Sequence, residues 1–437
     1  MMRRNRMARS LLVAYRLTGT LLYPFMGPFL RLRARRGKED RLRRYERYGY
    51  PSADRPKGPL VWFHAASVGE SMAVLPLIES ISQQGIHVIM TTGTVTSAAV
   101  VRDRLPPATF HQYVPLDFEK AVKRFLGHWN PDLAIFSESE IWPTTMLEMN
   151  KRRIPLVLVN ARMSDRSFAR WRGAPALAEA LFENISHVVA QSDLDAERFR
   201  QLGASPVTVS GNLKVDTEAL PCDEIELDRV RAQIGGRPVW IAASTHPGEE
   251  AEITGAHKLM SSHLPDLLTV IVPRHPDRGD EIAALVNKAG ISLCRRSQGY
   301  PLTPEAGIFL GDTIGEMGLY LRLGEVVFMG RSLTLKGGQN PLEAAMTGAA
   351  ILSGPHVGNF RETYRNLLAN GGAKLVKDRN MLAENVAYLL SRDDERRKMI
   401  EAANGALAQM RGALDRTVEV LDSYVFPLTV KRDLESL

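Results

Sequence analysis

The 437-residue sequence predicts an α/β protein with two doubly wound, parallel-sheet domains. From residue 60 onward, short apolar, β-branched runs alternate with amphipathic segments, the pattern of strands buried on both faces by helices. The rhythm pauses once, over a stretch that is acidic at first and ends in Gly235-Gly236-Arg237-Pro238, and then resumes. The length and the 44% hydrophobic content are enough for two buried cores.

The first element is Leu11 to Leu30, twenty residues whose single charge is Arg16. At about 1.5 Å per residue such a helix spans about 30 Å, the thickness of a bilayer's hydrocarbon core. Arg3, Arg4, Arg6 and Arg9 precede it, and nine Lys and Arg residues from Arg31 to Arg47 follow. Tyr15 and Tyr23 suit headgroup level. Pro24, Gly27 and Pro28 work against a straight span, and Arg16 would have to snorkel. A monotopic helix in the cytoplasmic leaflet therefore fits better than a clean span. The competing readings are a core helix with a basic end and a signal peptide, which lacks a small-x-small cleavage site. Residues 1–50 are thus expected to form a membrane anchor with a basic collar.

Strands are expected at 60–64, 87–92, 110–115, 132–136, 155–159, 187–190 and 207–210, forming a domain over 51–218. A linker covers 219–236. Further strands at 239–243, 268–272, 307–310, 325–328, 350–353 and 373–376 form a second domain over 237–437. Residues 1–50 carry 14 Lys and Arg against 3 Asp and Glu, so the remaining 387 residues are net −4 although the chain is net +7. An acidic body argues against a nucleic-acid-binding surface. Cys222 and Cys294 share no metal-ligand spacing, and a reducing cytoplasm suits them.

Ligands of doubly wound sheets bind beyond the carboxyl ends of the strands, so the residues there are the informative ones. After the first strand comes His64-Ala65-Ala66-Ser67-Val68-Gly69-Glu70. Glu70 is either a first-turn partner of the helix dipole or a carboxylate placed to take a proton from an attacking hydroxyl. Glu138 and Glu140 follow the fourth strand before Trp142-Pro143; they face solvent, or one is held at the site. Arg162 and Arg166 follow the fifth strand as phosphate ligands or as a solvated turn. Lys214 ends the first domain near the linker.

In the second domain, Ser244-Thr245-His246, Pro273-Arg274-His275-Pro276 and Asp312-Thr313-Ile314-Gly315-Glu316 each follow a strand. Arg274 is a phosphate or base clamp, or a salt-bridged loop residue. Gly337-Gly338-Gln339-Asn340-Pro341-Leu342-Glu343 places paired glycines before a helix start, exposing N–H groups to a phosphate. The spacing matches neither a Walker loop nor a dinucleotide fingerprint, so a nucleoside monophosphate or sugar nucleotide fits better.

These motifs, in this order, resemble the bacterial 3-deoxy-D-manno-octulosonic acid (Kdo) transferases of lipopolysaccharide assembly. The match runs through S-V-G-E at 67–70, E-x-E-x-W-P at 138–143, N-A-R at 160–162 and G-x-L-K at 211–214. It continues with S-T-H-x-G-E-E at 244–250, P-R-H-P at 273–276, G-D-T-x-G-E at 311–316, G-G-x-N-P-L-E-A-A at 337–345 and G-P-H at 354–356.

The resemblance implies a GT-B fold of two Rossmann-like domains with a cleft between them. It implies an inverting glycosyltransferase that moves Kdo from CMP-Kdo to a lipid A precursor (lipid IVA) at the cytoplasmic face of the inner membrane. It implies Glu70 as general base, with Glu138 and Lys214 stabilising the transition state. CMP contacts fall to Pro273, Arg274, Ile314, Gly315, Glu316, Asn340, Pro341, Leu342 and Glu343. No metal and no further cofactor are expected. Arg331 stands where Gly is expected, and Gln339 where relatives often carry His. A UDP-sugar transferase or epimerase is the alternative enzyme, and a membrane-docked nucleotide-binding module the alternative without catalysis.

Overall fold

The computed structural model describes residues 2–217 and 219–435, with side chains from residue 12 onward. It divides into two compact units, Met1–Thr217 with Arg411–Leu437, and Glu218–Met410. The first unit holds a seven-stranded parallel sheet of β1 (Leu60–Ala65), β2 (His87–Thr92), β3 (Thr109–Tyr113), β4 (Leu133–Ser137), β5 (Leu156–Ala161), β6 (His187–Ala190) and β7 (Val207–Val209), in the order 3-2-1-4-5-6-7. The second unit repeats the design with β8 (Val239–Thr245), β9 (Leu268–Pro273), β10 (Leu293–Arg295), β11 (Ile308–Leu310), β12 (Val326–Met329), β13 (Ala350–Ser353) and β14 (Ala373–Leu375), ordered 10-11-9-8-12-13-14.

Each strand run is apolar because helices cover both faces. In the first sheet, Trp62, Phe136 and Leu158 face one core with Phe125 and Trp129, while Val61, Phe63 and Ile135 face the other with Val74 and Ile78. Alternate residues of one strand thus serve two cores. Among the described residues, only β10 of the fourteen strands has no counterpart in the sequence expectation. It is a three-residue edge strand, too short for an alternation to show.

The domain limits differ from expectation in two places. The helix Ala413–Glu435 belongs to the first unit, not to a second domain ending at 437. Its Leu421, Val425 and Leu428 pack in the core that holds Val74, Leu77 and Ile78 of the helix Val68–Gln83. Asp216 fixes its start, accepting from the N–H groups of Gly412 (2.9 Å) and Leu414 (2.7 Å). Periodicity shows that a helix buries a face; it does not say against which sheet. The expected linker is also structured: Asp223 caps a helix, Glu224–Ile234, that buries Leu227, Val230 and Ile234.

The N-terminal segment differs as well. A helix over Met2–Leu22 gives way to a 3₁₀ turn at Tyr23–Phe25, which contains Pro24, and then to a helix over Met26–Arg35. No helix among the described residues is long and apolar enough to cross a membrane. Arg16 does not snorkel; it pairs with Glu119 (2.6 Å) and Glu148 (3.1 Å) of the first unit. Tyr15 donates to Asp117 (3.1 Å), and Tyr23 meets the rings of Tyr48 and Phe118 edge-on.

Part of the expected collar is internal. Arg47 is buried, bonded to Glu39 and to the carbonyls of Gly93 and Val114, and Arg43 pairs with buried Glu46. The side chains of Arg3, Arg4, Arg6 and Arg9 lie outside the described residues.

Candidate active site

In the first unit three strand ends deliver the expected catalytic trio to one place. β1 runs through Ala66 into Ser67, whose hydroxyl caps the helix Val68–Gln83. Glu70, one turn in, folds back so that its carboxylate accepts from Ser67 Oγ (2.7 Å) and the Ala66 N–H (3.0 Å). This is capping-box logic, and it holds the carboxylate at the sheet's carboxyl edge. The helix-start reading and the proton-acceptor reading are therefore compatible.

Glu138 follows β4 with φ +58°, a left-handed conformation that costs a non-glycine residue strain and clusters at functional sites. Its N–H stays tied to the Val159 carbonyl at 3.0 Å, so the strain turns the side chain without releasing the strand. Lys214, on the 3₁₀ turn Leu213–Val215 after β7, donates to Glu138 Oε1 at 2.6 Å. A Cβ placed on Gly69 would lie 3.8 Å from Lys214 Cε and 3.9 Å from Nζ, so the ammonium lies over the turn that carries Glu70.

Burial raises the Glu70 pKa above the usual carboxylate range, and the charges of Glu138 and Glu140 push it further in the same direction. Glu140 is turned inward rather than to open solvent: it accepts from Trp142 Nε1 at 2.8 Å and stands 3.6 Å from His64 Nε2.

Sequence reasoning missed Asn160 as a support. Fully buried at φ +51° in β5, it accepts the Leu213 N–H at 3.0 Å and so fixes the turn that presents Lys214. The signal was there, since Asn tolerates left-handed backbone better than most residues.

The second unit gathers the remaining candidates at the carboxyl edge of its own sheet. Arg274 follows β9 and is exposed, while Pro273 before it is buried. Ile314 is exposed, and Gly315 adopts φ +88°. Glu316 is held by Arg296 (2.5 Å) and Thr313 Oγ1 (2.5 Å), and its pKa is lowered chiefly by the Arg296 hydrogen bond. Asn340 Oδ1 accepts the Leu342 N–H at 3.2 Å, and the Leu342 side chain is buried. Leu342 is therefore structural in both its side chain and its N–H.

The helix after Pro341 is only five residues long, Leu342–Met346, too short for the dipole effect that a full helix start would bring. The glycine pair does turn left-handed, with Gly337 at φ +135° and Gly338 at φ +74°. Its N–H groups are not exposed for a phosphate as expected: Gly337 donates to the His356 carbonyl (3.2 Å) and Gly338 to that of Arg331 (2.8 Å), bonds that close the turn.

Glu249 organises this edge and carried no assigned role in the sequence reading. Fully buried, its carboxylate accepts from the N–H groups of His246 (3.0 Å), Arg331 (2.6 Å), Ser332 (2.8 Å) and Leu333 (3.0 Å). Among the described residues no three His, Cys, Asp or Glu side chains are grouped as metal ligands.

Comparison with known proteins identifies the family. Residues 42–217 match the family described as 3-deoxy-D-manno-octulosonic-acid transferase (kdotransferase). A probable mitochondrial 3-deoxy-D-manno-octulosonic acid transferase of Arabidopsis thaliana is 38% identical over 361 residues, covering 79% of this chain and 80% of the relative. The 3-deoxy-D-manno-octulosonic acid transferase of Bordetella pertussis is 36% identical over 423 residues, covering 92% and 97%. Among solved structures, a glycosyltransferase of Rickettsia africae superposes with a TM-score of 0.58 at 12% identity, over 85% of this chain and 99% of that one, a likeness of fold. Identity at this level along nearly the whole chain places the protein in the Kdo transferase family of glycosyltransferases.

Proposed function

We propose that the enzyme transfers Kdo from CMP-Kdo to a lipid A precursor such as lipid IVA, with inversion at the anomeric carbon and Glu70 as the general base. The observation that carries this reading is the placement of Glu70. It is a partly buried carboxylate with a raised pKa, fixed by neutral donors beside an ion-paired Glu138 and Lys214. A base of this kind accelerates proton abstraction by about 10²–10⁴-fold.

In the proposed step the Glu70 carboxylate accepts the proton of the attacking acceptor hydroxyl as that oxygen bonds to the anomeric carbon. CMP departs with the electrons of the broken C–O bond. The Lys214 ammonium, oriented by Glu138, offsets charge developing around the reacting centre. Donor contacts fall to Pro273, Arg274, Ile314, Gly315, Glu316, Asn340, Pro341 and Glu343, with Leu342 acting through the turn it buries. The reading requires neither a metal nor a further cofactor.

The acceptor is a lipid, and the N-terminal segment suits a membrane surface at the cytoplasmic face of the inner membrane. Leu17, Leu21, Phe25 and Phe29 are exposed, Leu21 to 73% and Phe25 to 69%, next to exposed Arg31, Arg35, Arg36, Lys38 and Arg41. Apolar side chains rimmed by cations favour an anionic headgroup layer. Arg166 and Arg170, exposed on the helix Asp165–Arg172 after β5, suit the acceptor's phosphates.

The test is to incubate the protein with CMP-Kdo and lipid IVA and weigh the products. Addition of Kdo is expected; transfer from a UDP-sugar instead would overturn the donor assignment. Co-flotation with anionic but not neutral vesicles is the expected result for the membrane contact, and equal flotation with both would contradict it.

A further inference from the structure

We infer that Arg331 is a donor-binding residue of this enzyme, whose guanidinium takes an anionic group of the CMP-sugar beside the Gly337-Gly338 turn. The inference rests on the donor reading above. It begins with the backbone. Arg331 follows β12 at φ +56°, in the left-handed region that favours glycine. A strained backbone position persists where the surroundings over-determine it, and such positions cluster at ligand sites. Here the buried Glu249 carboxylate holds the N–H groups of Arg331, Ser332 and Leu333, so the turn is braced from below.

The side chain is directed onto the glycine turn. The Arg331 carbonyl accepts the Gly338 N–H at 2.8 Å, and Arg331 Nε lies 3.2 Å from where a Cβ on Gly337 would stand. Among the described residues no carboxylate pairs with Arg331 or with Arg274. Both charges bear on one imidazole. Gln339 Nε2 lies 2.9 Å from His246 Nε2. The His246 pKa falls to about 4, through burial first and then through the charges of Arg331, His275, Arg274 and Arg278. Arg278 is neutralised by Glu250 and Glu281. Arg331, a guanidinium without a carboxylate lying on the glycine turn, and Arg274, whose charge reaches the same imidazole, offer cations to an oxyanion.

A CMP-linked sugar acid offers two such anions, the phosphodiester and the sugar carboxylate, and the test separates them. Arg331→Gly suits the backbone and should melt no lower than wild type. Calorimetric titration with CMP and with cytidine is compared with KM for CMP-Kdo in wild type, Arg331→Gly and Arg331→Lys. We expect Arg331→Gly to weaken binding or raise KM about tenfold or more with kcat little changed, cytidine binding unaltered and Arg331→Lys intermediate. A loss already seen with CMP assigns the phosphate; a loss confined to CMP-Kdo assigns the carboxylate. If CMP affinity and KM both stay within about twofold of wild type in Arg331→Gly, where a charge-assisted contact predicts far more, the inference is overturned while the donor reading stands. If wild type binds neither CMP nor CMP-Kdo, the donor reading fails and this inference with it.

Discussion

Lys214 Nζ donates to Glu138 Oε1 at 2.6 Å, across 76 residues of sequence. That pair satisfies one carboxylate of the site with a cation, whereas Glu70 is held by the neutral donors Ser67 Oγ and the Ala66 N–H. The division leaves one carboxylate compensated by a cation and the other with a raised proton affinity, as the proposed roles of stabiliser and base require.

Replacing Lys214 by Ala removes the only cation bound to Glu138 among the described residues. Transfer is expected to slow by about 10²–10³-fold, the cost of losing one preorganised charge. CMP affinity, which the proposed function assigns to residues of the second unit, should be unchanged. Steady-state rates beside a CMP titration check this.

The raised Glu70 pKa sets the sign of the pH dependence. The base must be ionised, so the rate falls as pH drops through a pKa lifted above the ordinary carboxylate value. Glu140 contributes to that lift, so Glu140→Gln should move the acidic limb to lower pH. Lys214→Ala should move it to higher pH, because the Glu138 charge beside Glu70 is then uncompensated. Profiles of kcat/KM read both shifts, and an acidic limb unmoved in both variants would contradict the arrangement.

Glu249→Ala leaves four N–H groups without their acceptor in a buried turn. We expect a loss of about 3 kcal/mol or more, with loss of CMP binding, and a smaller effect in Glu249→Gln. Denaturant melts and calorimetry measure the two separately.

Arg16→Ala tests how the N-terminal helix is held. Glu148 keeps Lys151 (2.7 Å) and Glu119 keeps Lys123 (2.5 Å), so the expected loss is modest, about 1 kcal/mol. Proteolysis should cut residues 2–22 faster in the variant at unchanged activity toward water-soluble acceptor analogues.

The alternation of strands and helices was legible because buried parallel strands leave continuous apolar runs, as in Val61–Phe63 or Val326–Met329. The helix Ala413–Glu435 was assigned to the wrong unit because a packed helix does not encode its partner. The charges of residues 1–50 were legible as composition, but not their fates: Arg16, Arg43 and Arg47 are pinned to carboxylates far apart or nearby in sequence, while Arg31 and Arg35 stay exposed. At the site, Glu70, Glu138 and Lys214 were legible as strand-end residues and took their roles from the family resemblance, and the structure explains their convergence through the ends of β1, β4 and β7. Asn160 and Glu249 escaped because their work is done on backbone N–H groups. Residue type hints at the left-handed backbone of Asn160, but no side-chain pattern names the N–H groups that either one holds.

The central claim is that Glu70 is the base, and the most direct measurement is product mass and turnover for Glu70→Gln with CMP-Kdo and lipid IVA, alongside CMP affinity. The account predicts a loss of transfer of at least about 10²-fold with CMP binding intact. Near-normal turnover in Glu70→Gln would contradict it.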